Sequence, residues 1–129
     1  MNDKNLTLTE AEWTVMECLW EKSPRTGRET VAWLDQKLGW TRSTTLAMLR
    51  RLEAKGAVAG DTEGDLKTFR PLIAREEVAV RETESLLDRA YKGSLSLLVS
   101  SLTKRQSLPK KEIDELYAIL REMERKNND

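Results

Sequence analysis

The sequence lacks histidine altogether and contains a single cysteine, Cys18, among its 129 residues. Histidine is the usual general base of enzymes and a common metal ligand, and a zinc site needs several Cys or His ligands. The chain also has no nucleophile–histidine pair and no glycine-rich phosphate loop. We therefore expect no enzyme, no metal site and no cofactor, and we interpret Cys18 as a buried, reduced side chain.

Long hydrophobic runs are also missing. No apolar segment approaches the roughly 20 residues that span a bilayer, and the N-terminal stretch MNDKNLTLTE has no signal-peptide core. With 39% hydrophobic and 34% charged residues, the chain is expected to be a helix-rich cytoplasmic protein without membrane insertion. Its net charge is zero, but residues 37–56 hold five basic side chains against Glu53 alone. The positive charge is therefore concentrated on one short segment.

The first part of the chain predicts two amphipathic helices with the same kind of start. Residues 8–22 open with a capping box made by Thr9 and Glu12, and residues 26–39 repeat it from Thr26. Apolar residues then recur at helical spacing, with Trp13, Val15, Met16, Leu19 and Trp20 in the first segment and Val31, Leu34 and Leu38 in the second.

A third helix is predicted over residues 42–55, capped by Thr41 or Ser43 and ended by Gly56. Its inward face is predicted to contain Thr45, Leu49 and Leu52. Only a tight turn separates it from the second helix, which is the arrangement of a helix-turn-helix motif. Residues 57–73 then predict a hairpin around the turn DTEGD. This order favours a winged helix.

The remaining chain predicts three more helices, over residues 75–93, 94–104 and 107–126, the last with Ser107 as its cap. These helices carry more apolar surface than they can bury alone. The predicted fold is thus mostly α with a small β-hairpin wing: a winged helix-turn-helix over residues 1–73, followed by a three-helix dimerisation domain over residues 74–129.

The outward side of the third helix is the candidate DNA-reading surface, because the second helix of such a motif enters the major groove. Small hydroxyl and methyl side chains suit base edges, and we assign base readout to Ser43, Thr44 and Ala47. Cations and hydroxyls suit phosphates, and we assign that role to Thr41, Arg42, Arg50, Arg51 and, on the hairpin, Lys67. A purely structural hairpin remains the alternative for Lys67.

Four segments carry a resemblance to a known family: LTEAEWTVMECLW, GWTRSTTLAMLRRLEAKG, FRPL and EIDELYAIL. The most specific is the third helix, which follows Trp40 and contains Thr44 and Arg51. Over roughly residues 6–123, the chain resembles the BlaI/MecI penicillinase-repressor family of winged-helix regulators. The resemblance implies a homodimeric repressor of double-stranded, palindromic operator DNA built on TACA/TGTA half-sites. It also implies that the C-terminal helices entwine across the two-fold axis.

The same resemblance implies a switch connected with antibiotic resistance. In relatives of this kind, a membrane-bound sensor protease responds to a β-lactam and cuts the repressor in its dimerisation region. The scissile Asn–Phe pair of those members aligns here with Ser101 and Leu102. The expected dimer interface is the apolar set Leu87, Leu95, Leu98, Leu102, Leu116 and Leu120.

Three positions depart from the drug-resistance members: Ser43 and Ala47, often Lys and Thr there, and Asp65, where a basic residue is common. The tail REMERKNND lacks the cysteine-rich motif of the copper-responsive relatives, so we expect no copper binding. The alternative function is a winged-helix module that binds another protein and not DNA. A hydrolase is a third, formal option that the missing histidine disfavours.

Overall fold

The computed structural model describes residues 6–128. Residues 1–5 lie outside the described residues, and they belong to the N-terminal stretch in which we expect no signal peptide. Asp129, the last residue of the predicted second domain, also lies outside them. The elements follow the order α1 (Glu10–Glu21), β1 (Arg25–Thr26), α2 (Gly27–Leu38), α3 (Arg42–Lys55), β2 (Val58–Glu63), β3 (Leu66–Pro71), α4 (Arg75–Ala90), α5 (Leu95–Thr103) and α6 (Lys110–Asn127). The mostly helical class with one small hairpin is confirmed.

The chain forms two compact units that divide between Thr83 and Glu84, within α4. The sequence placed the boundary earlier, after residue 73. The first unit extends further because Val78 is only 2% exposed and belongs to the core cluster. In addition, Arg75 forms an ion pair with Glu17 of α1. The start of α4 is therefore part of the first unit.

The predicted helix starts and ends of the first unit are confirmed in their side-chain chemistry. Thr9 accepts from the Glu12 backbone N–H at 3.1 Å, and Glu12 accepts from the Thr9 backbone N–H at 2.9 Å. The same reciprocal pair forms at Thr26. Helices α2 and α3 end at Gly39 and Gly56, whose φ angles of 69° and 84° favour glycine.

The start of α6 differs from the prediction. Ser107 was expected to cap a helix over residues 107–126, but the helix begins at Lys110 with Pro109 as its N-cap, without a side-chain hydrogen bond. Proline disfavours helical dihedrals in the residue before it, so Leu108 cannot continue the helix backwards. Pro109 therefore occupies the N-cap position that was expected for Ser107.

The sheet has three antiparallel strands in the order β1–β3–β2. Strands β2 and β3 form the predicted hairpin, in which Glu63 pairs with Leu66 across a loop of Gly64 and Asp65. Gly64 has a φ of 66°, as tight hairpin loops favour. Strand β1 was not predicted, because two residues are too few to show an alternating pattern. It pairs with β3 and ties the start of α2 to the hairpin.

The core lies in the first unit, between α1, α2, α3, the sheet and the first half of α4. It contains Val15, Met16, Leu19, Leu34, Leu49, Leu52, Ala57, Val58, Phe69, Ile73 and Val78. Leu38 was predicted to line the buried face of α2 but is 55% exposed. It is the last residue of the helix, and the chain turns away at Gly39. Within residues 6–128, no helix has the length and apolar character needed to cross a membrane.

The second unit has no comparable core. Neither α5 nor α6 contains a buried residue. Their exposed large apolar side chains are Leu95, Leu97, Leu102, Ile113, Tyr117, Ile119, Leu120 and Met123. This confirms the expectation that these helices hold more apolar surface than one chain can bury.

We predict that Leu34→Ala lowers the free energy of unfolding by about 2–5 kcal/mol, because it opens a cavity in the core. Leu38→Ala removes the same atoms from the same helix but from an exposed position, and we expect a change within about 0.5 kcal/mol. Urea unfolding of the full chain, followed by tryptophan fluorescence, measures both. Equal losses in the two variants would contradict the assignment of the buried face.

Candidate nucleic-acid interface

Helix α3 has one buried side and one open side. Thr45, Leu49 and Leu52 are buried, as the sequence predicted. On the opposite side, Ser43, Ala47 and Arg50 follow one another at spacings of four and three, so they share a face. Next to it lies a second stripe with Thr44 and Arg51. All the predicted contact residues of α3 are exposed except Ala47, which is half-buried.

The start of α3 carries a cluster of three hydroxyl groups. The Thr41 hydroxyl accepts from the Thr44 backbone N–H at 3.2 Å and donates to the Thr44 hydroxyl at 3.0 Å. It also lies 3.3 Å from the Ser43 hydroxyl. Since Thr44 accepts from Thr41, its own O–H remains available for an external acceptor. The cap of the helix thus orients two of the predicted base-reading side chains.

The cations of α3 differ in how far they are neutralised. Within residues 6–128, the side chains of Arg42 and Arg50 form no ion pair or hydrogen bond. Arg51 is intermediate, with its Nε 3.7 Å from the Glu12 Oε2. Lys55 is the most engaged of the four, because its Nζ donates to the Glu12 Oε1 at 2.5 Å and to the Thr7 carbonyl at 2.8 Å. Arg42 and Arg50 are therefore the cations most available to a phosphate.

Glu12 is a functional candidate that sequence reasoning assigned only to helix capping. Its side chain is 0% exposed and lies between α1 and the last turns of α3. Burial on its own would raise the pKa of the carboxyl. Hydrogen bonds from Lys55 and from Thr9, with the Lys55 charge, instead lower the pKa below its usual 4.5. Its position in the sequence could have indicated this burial, because Glu12 continues the buried stripe of Val15, Met16 and Leu19 at helical spacing.

The hairpin presents few free cations. Lys67 Nζ lies 3.2 Å from the Glu53 Oε1 and 5.3 Å from the centre of the Phe69 ring. Gly60 permits this placement, since a Cβ there would lie 2.5 Å from the Lys67 Cε. Arg70, the other cation of strand β3, pairs with Asp61 at 2.8 Å. A phosphate at Lys67 would compete with Glu53 for the charge of the ammonium group.

The residues assigned to the dimer interface and to cleavage lie in the second unit. Leu95, Leu102 and Leu120 are exposed, whereas Leu87, Leu98 and Leu116 are half-buried in the single chain. Ser101 and Leu102 lie in the last turn of α5, where the Ser101 hydroxyl accepts from the Tyr91 hydroxyl at 3.4 Å. The candidate scissile bond is therefore helical in this structure.

Cys18 and the acidic residues offer little chemistry. Cys18 is fully buried, and burial raises the pKa of its thiol to about 11. Such a thiol is protonated at neutral pH and is a poor nucleophile. Among the residues that the structure describes, no group of three or more His, Cys, Asp or Glu side chains could hold a metal ion.

A helix-turn-helix followed by an antiparallel hairpin, with an open basic face on the second motif helix, defines a winged-helix protein of the DNA-binding class. The profile of the penicillinase repressor family matches residues 8–122, most of the chain. The chain belongs to that family.

The curated relatives match along nearly their whole length. The penicillinase repressor of Bacillus licheniformis is 32% identical over 115 residues, which cover 89% of this chain and 90% of the relative. The methicillin resistance regulatory protein MecI of Staphylococcus aureus strain N315 is 23% identical over 120 residues, 93% of this chain and 98% of the relative. The family relationship therefore includes both units.

Solved structures match over about half of the chain. The solution structure of the DNA-binding domain of the repressor BlaI is 30% identical, with a TM-score of 0.51, and the match covers 55% of this chain and 87% of that one. Monomeric BlaI of Bacillus licheniformis in complex with the blaP half-operator is 29% identical, with a TM-score of 0.50, covering 56% and 88%. These matches confirm the predicted winged-helix fold.

We predict that the fold loses stability as the pH falls below about 4.5, in part through Glu12. Its pKa is lower in the folded state than in the unfolded state, so its charge stabilises the fold above the unfolded pKa. That stabilisation disappears as the pH falls through the lowered folded pKa. Urea unfolding at a series of pH values should show a flatter acid limb for Glu12→Gln. A Glu12 carboxyl that titrates above 4.5 by NMR would contradict this assignment.

Proposed function

We propose that this protein is a transcriptional repressor that binds double-stranded operator DNA through α3 and acts as a homodimer. The observation that carries the proposal is the open face of α3. Arg50 on this face and Arg42 in the first turn of the helix have no partner within residues 6–128, and the helix cap orients a hydroxyl cluster in the same first turn. A basic helix face of this kind, on the second helix of a helix-turn-helix, suits a major groove.

The contacts divide by chemistry. Ser43 and Thr44 donate to or accept from base edges, and Ala47 contacts a thymine methyl group. Phosphate contacts come from Thr41 and from the arginines, Arg42, Arg50 and Arg51. The half-operator complex of BlaI, which is similar in sequence and fold to the first unit, supports this use of the winged helix.

The hairpin contributes less to phosphate binding in this proposal. Lys67 is held by Glu53, and Arg70 by Asp61. Glu53 already offsets part of the Lys67 charge, so a phosphate contact by Lys67 contributes less than one by an unpaired cation. The acidic loop residue Asp65 adds local repulsion beside the DNA backbone.

The second unit provides the homodimer interface. Leu95, Leu102 and Leu120 are exposed in the single chain, and burying such side chains contributes about 25 cal/mol per Å² of apolar area. A two-fold dimer presents two copies of α3 that are related by the same symmetry as the two half-sites of a palindromic operator. When one DNA-binding domain of the dimer is bound, the effective concentration of the other at its half-site is high. This linkage increases the overall affinity by a factor on the order of 10²–10⁴.

Release of the operator would follow from loss of the dimer. A cut between Ser101 and Leu102 separates α6 from the rest of the chain and leaves α3 untouched. Leu102 is half exposed in α5, and the helix must unwind locally for a protease to act. We propose that a membrane sensor protease which responds to a β-lactam or another signal makes this cut. The repressor itself acts in the cytoplasm, on the DNA.

We predict that Arg50→Ala and Arg51→Ala each weaken binding to a duplex with TACA/TGTA half-sites, nearly uniformly across sequence variants. Each should lower the slope of log K against log salt by about 1, because one phosphate contact is lost. Lys104→Ala, which removes the same charge from the second unit, is the control and should leave the slope unchanged. Fluorescence anisotropy titrations at several salt concentrations measure this. A wild-type protein with no salt dependence would favour the protein-binding alternative.

We predict that Leu120→Asp yields monomers, because it places a charge in the proposed apolar interface. Leu120 is 53% exposed in the single chain, so the substitution does not disturb packing within it. Operator affinity should fall by about 10²–10⁴-fold, whereas half-site binding is retained. Gln106→Asp adds the same charge in the α5–α6 connection and should remain dimeric. Sedimentation measures the mass, and a dimeric Leu120→Asp would refute the interface.

A further inference from the structure

Glu12 is buried more deeply than its role as a capping residue requires. Glu29 closes the same type of capping box at the start of α2, accepting from the Thr26 backbone N–H at 2.8 Å, and it remains exposed. Glu12 does the same for Thr9 but is 0% exposed. Burying a carboxylate costs free energy unless it is paired. This difference in burial between the two glutamates indicates that Glu12 has a second role besides capping.

That second role involves two cations of α3, Arg51 and Lys55, which lie one turn apart. Lys55 donates to the Glu12 Oε1, the oxygen that also accepts from Thr9. The other oxygen, Oε2, has no hydrogen-bond partner within residues 6–128 and lies 3.7 Å from the Arg51 Nε. Each oxygen of the carboxylate therefore faces a different cation.

Within residues 6–128, the Arg51 guanidinium has one ionic contact, in which its Nε lies 3.7 Å from the Glu12 Oε2, beyond hydrogen-bond distance. Its Nε faces Glu12, and within the described part of the chain its two terminal Nη groups form no hydrogen bond. The side chain is 57% exposed. A guanidinium can bind a phosphate through two parallel N–H bonds. If Lys55 did not bind the Glu12 Oε1, both carboxylate oxygens could accept hydrogen bonds from Arg51, one from Nε and one from an Nη group. That Nη group would then no longer be free to bind a phosphate.

We propose that Glu12 is a positioning residue for DNA binding: it holds Arg51 by its Nε edge, so that the Nη groups face a phosphate. This inference rests on the proposed function. Lys55 supports the arrangement by engaging the second carboxylate oxygen. A carboxylate of α1, remote in sequence from α3, thereby sets the geometry of a phosphate contact.

The effect of Glu12→Gln on DNA affinity distinguishes a positioning role of Glu12 from a purely electrostatic one, because the two roles predict opposite changes. The substitution removes a negative charge near the DNA surface, so long-range electrostatics alone would strengthen binding. If Glu12 positions Arg51, binding weakens, because the guanidinium loses its orientation. Glutamine can still accept from the Thr9 backbone N–H through its amide oxygen, so the capping box is retained. Glu29→Gln is the matched control, since it changes the same kind of capping box away from α3.

The contact itself is tested without DNA, by NMR of the arginine Nε–H groups in the full-length protein. We expect the Arg51 Nε–H resonance to shift in Glu12→Gln and to stay in place in Glu29→Gln. An unchanged Arg51 resonance in Glu12→Gln overturns the inference, whether or not the protein binds DNA. Failure of the wild-type protein to bind any duplex would instead refute the proposed function, so the two failures are distinguishable.

The consequence is tested by a double-mutant cycle on the operator duplex. Glu12→Gln should weaken binding about threefold to tenfold, with a salt slope that moves towards that of Arg51→Ala. In the Arg51→Ala background, Glu12→Gln should cause no further loss of affinity. Tighter or equal binding in Glu12→Gln, or a loss of the same size in the Arg51→Ala background, overturns the proposal. Glu29→Gln should bind like the wild type.

A second variant keeps the proposal testable if Glu12→Gln does not fold. Lys55→Met removes the Lys55 hydrogen bond from the Glu12 Oε1 and leaves only the Thr9 backbone N–H there, so the carboxylate is able to turn further towards Arg51. We expect weaker operator binding from Lys55→Met in the wild-type background and a smaller loss in the Arg51→Ala background. Equal losses in the two backgrounds would show that Lys55 acts independently of Arg51, and would overturn the proposal.

Discussion

Burial of Leu49 and Leu52 in the core of the first unit determines which way α3 faces. These side chains pack in one cluster with Val15, Met16 and Leu19 of α1. Because a helix has a fixed angular spacing, burying one stripe necessarily exposes the opposite one. The residues on that opposite stripe are short, polar or basic, and the hydroxyl cluster around Thr41 fixes the first turn. The core therefore positions the candidate reading surface.

The two units differ in how much of their apolar surface they bury within one chain. The first closes a core within one chain and leaves a polar face free for a ligand. The second has no buried residue in α5 or α6, and many of its apolar side chains are exposed in the single chain. In the proposed homodimer, separating the two copies would remove the avidity of DNA binding while each winged helix stays folded.

The sequence predicted the local structure well, because capping boxes, terminal glycines and apolar periodicity are local signals. Thr9, Thr26, Gly39 and Gly56 marked helix limits that the structure confirms within one or two residues. Short elements without periodicity were missed, as β1 shows. Leu38 shows a further limit: a spacing that fits the buried stripe does not guarantee burial at the end of a helix.

Electrostatic pairing was harder to predict, because it joins residues that are distant in sequence. Arg51 and Lys67 were selected as phosphate contacts from their positions on predicted elements, but the structure places Glu12 and Glu53 beside them. The cation count of α3 was therefore a poor measure of its free positive charge. Only the tertiary contacts distinguish Arg42 and Arg50 from Lys55.

DNA binding by this protein is proposed to depend on the open face of α3. The most direct measurement is an NMR titration of the full-length protein with an operator duplex, following the backbone amides. If DNA binds this face, the largest shifts occur at Ser43, Thr44 and Ala47, with smaller ones at the adjacent arginines. Shifts confined to the hairpin loop or to α6, with the start of α3 unchanged, would contradict it.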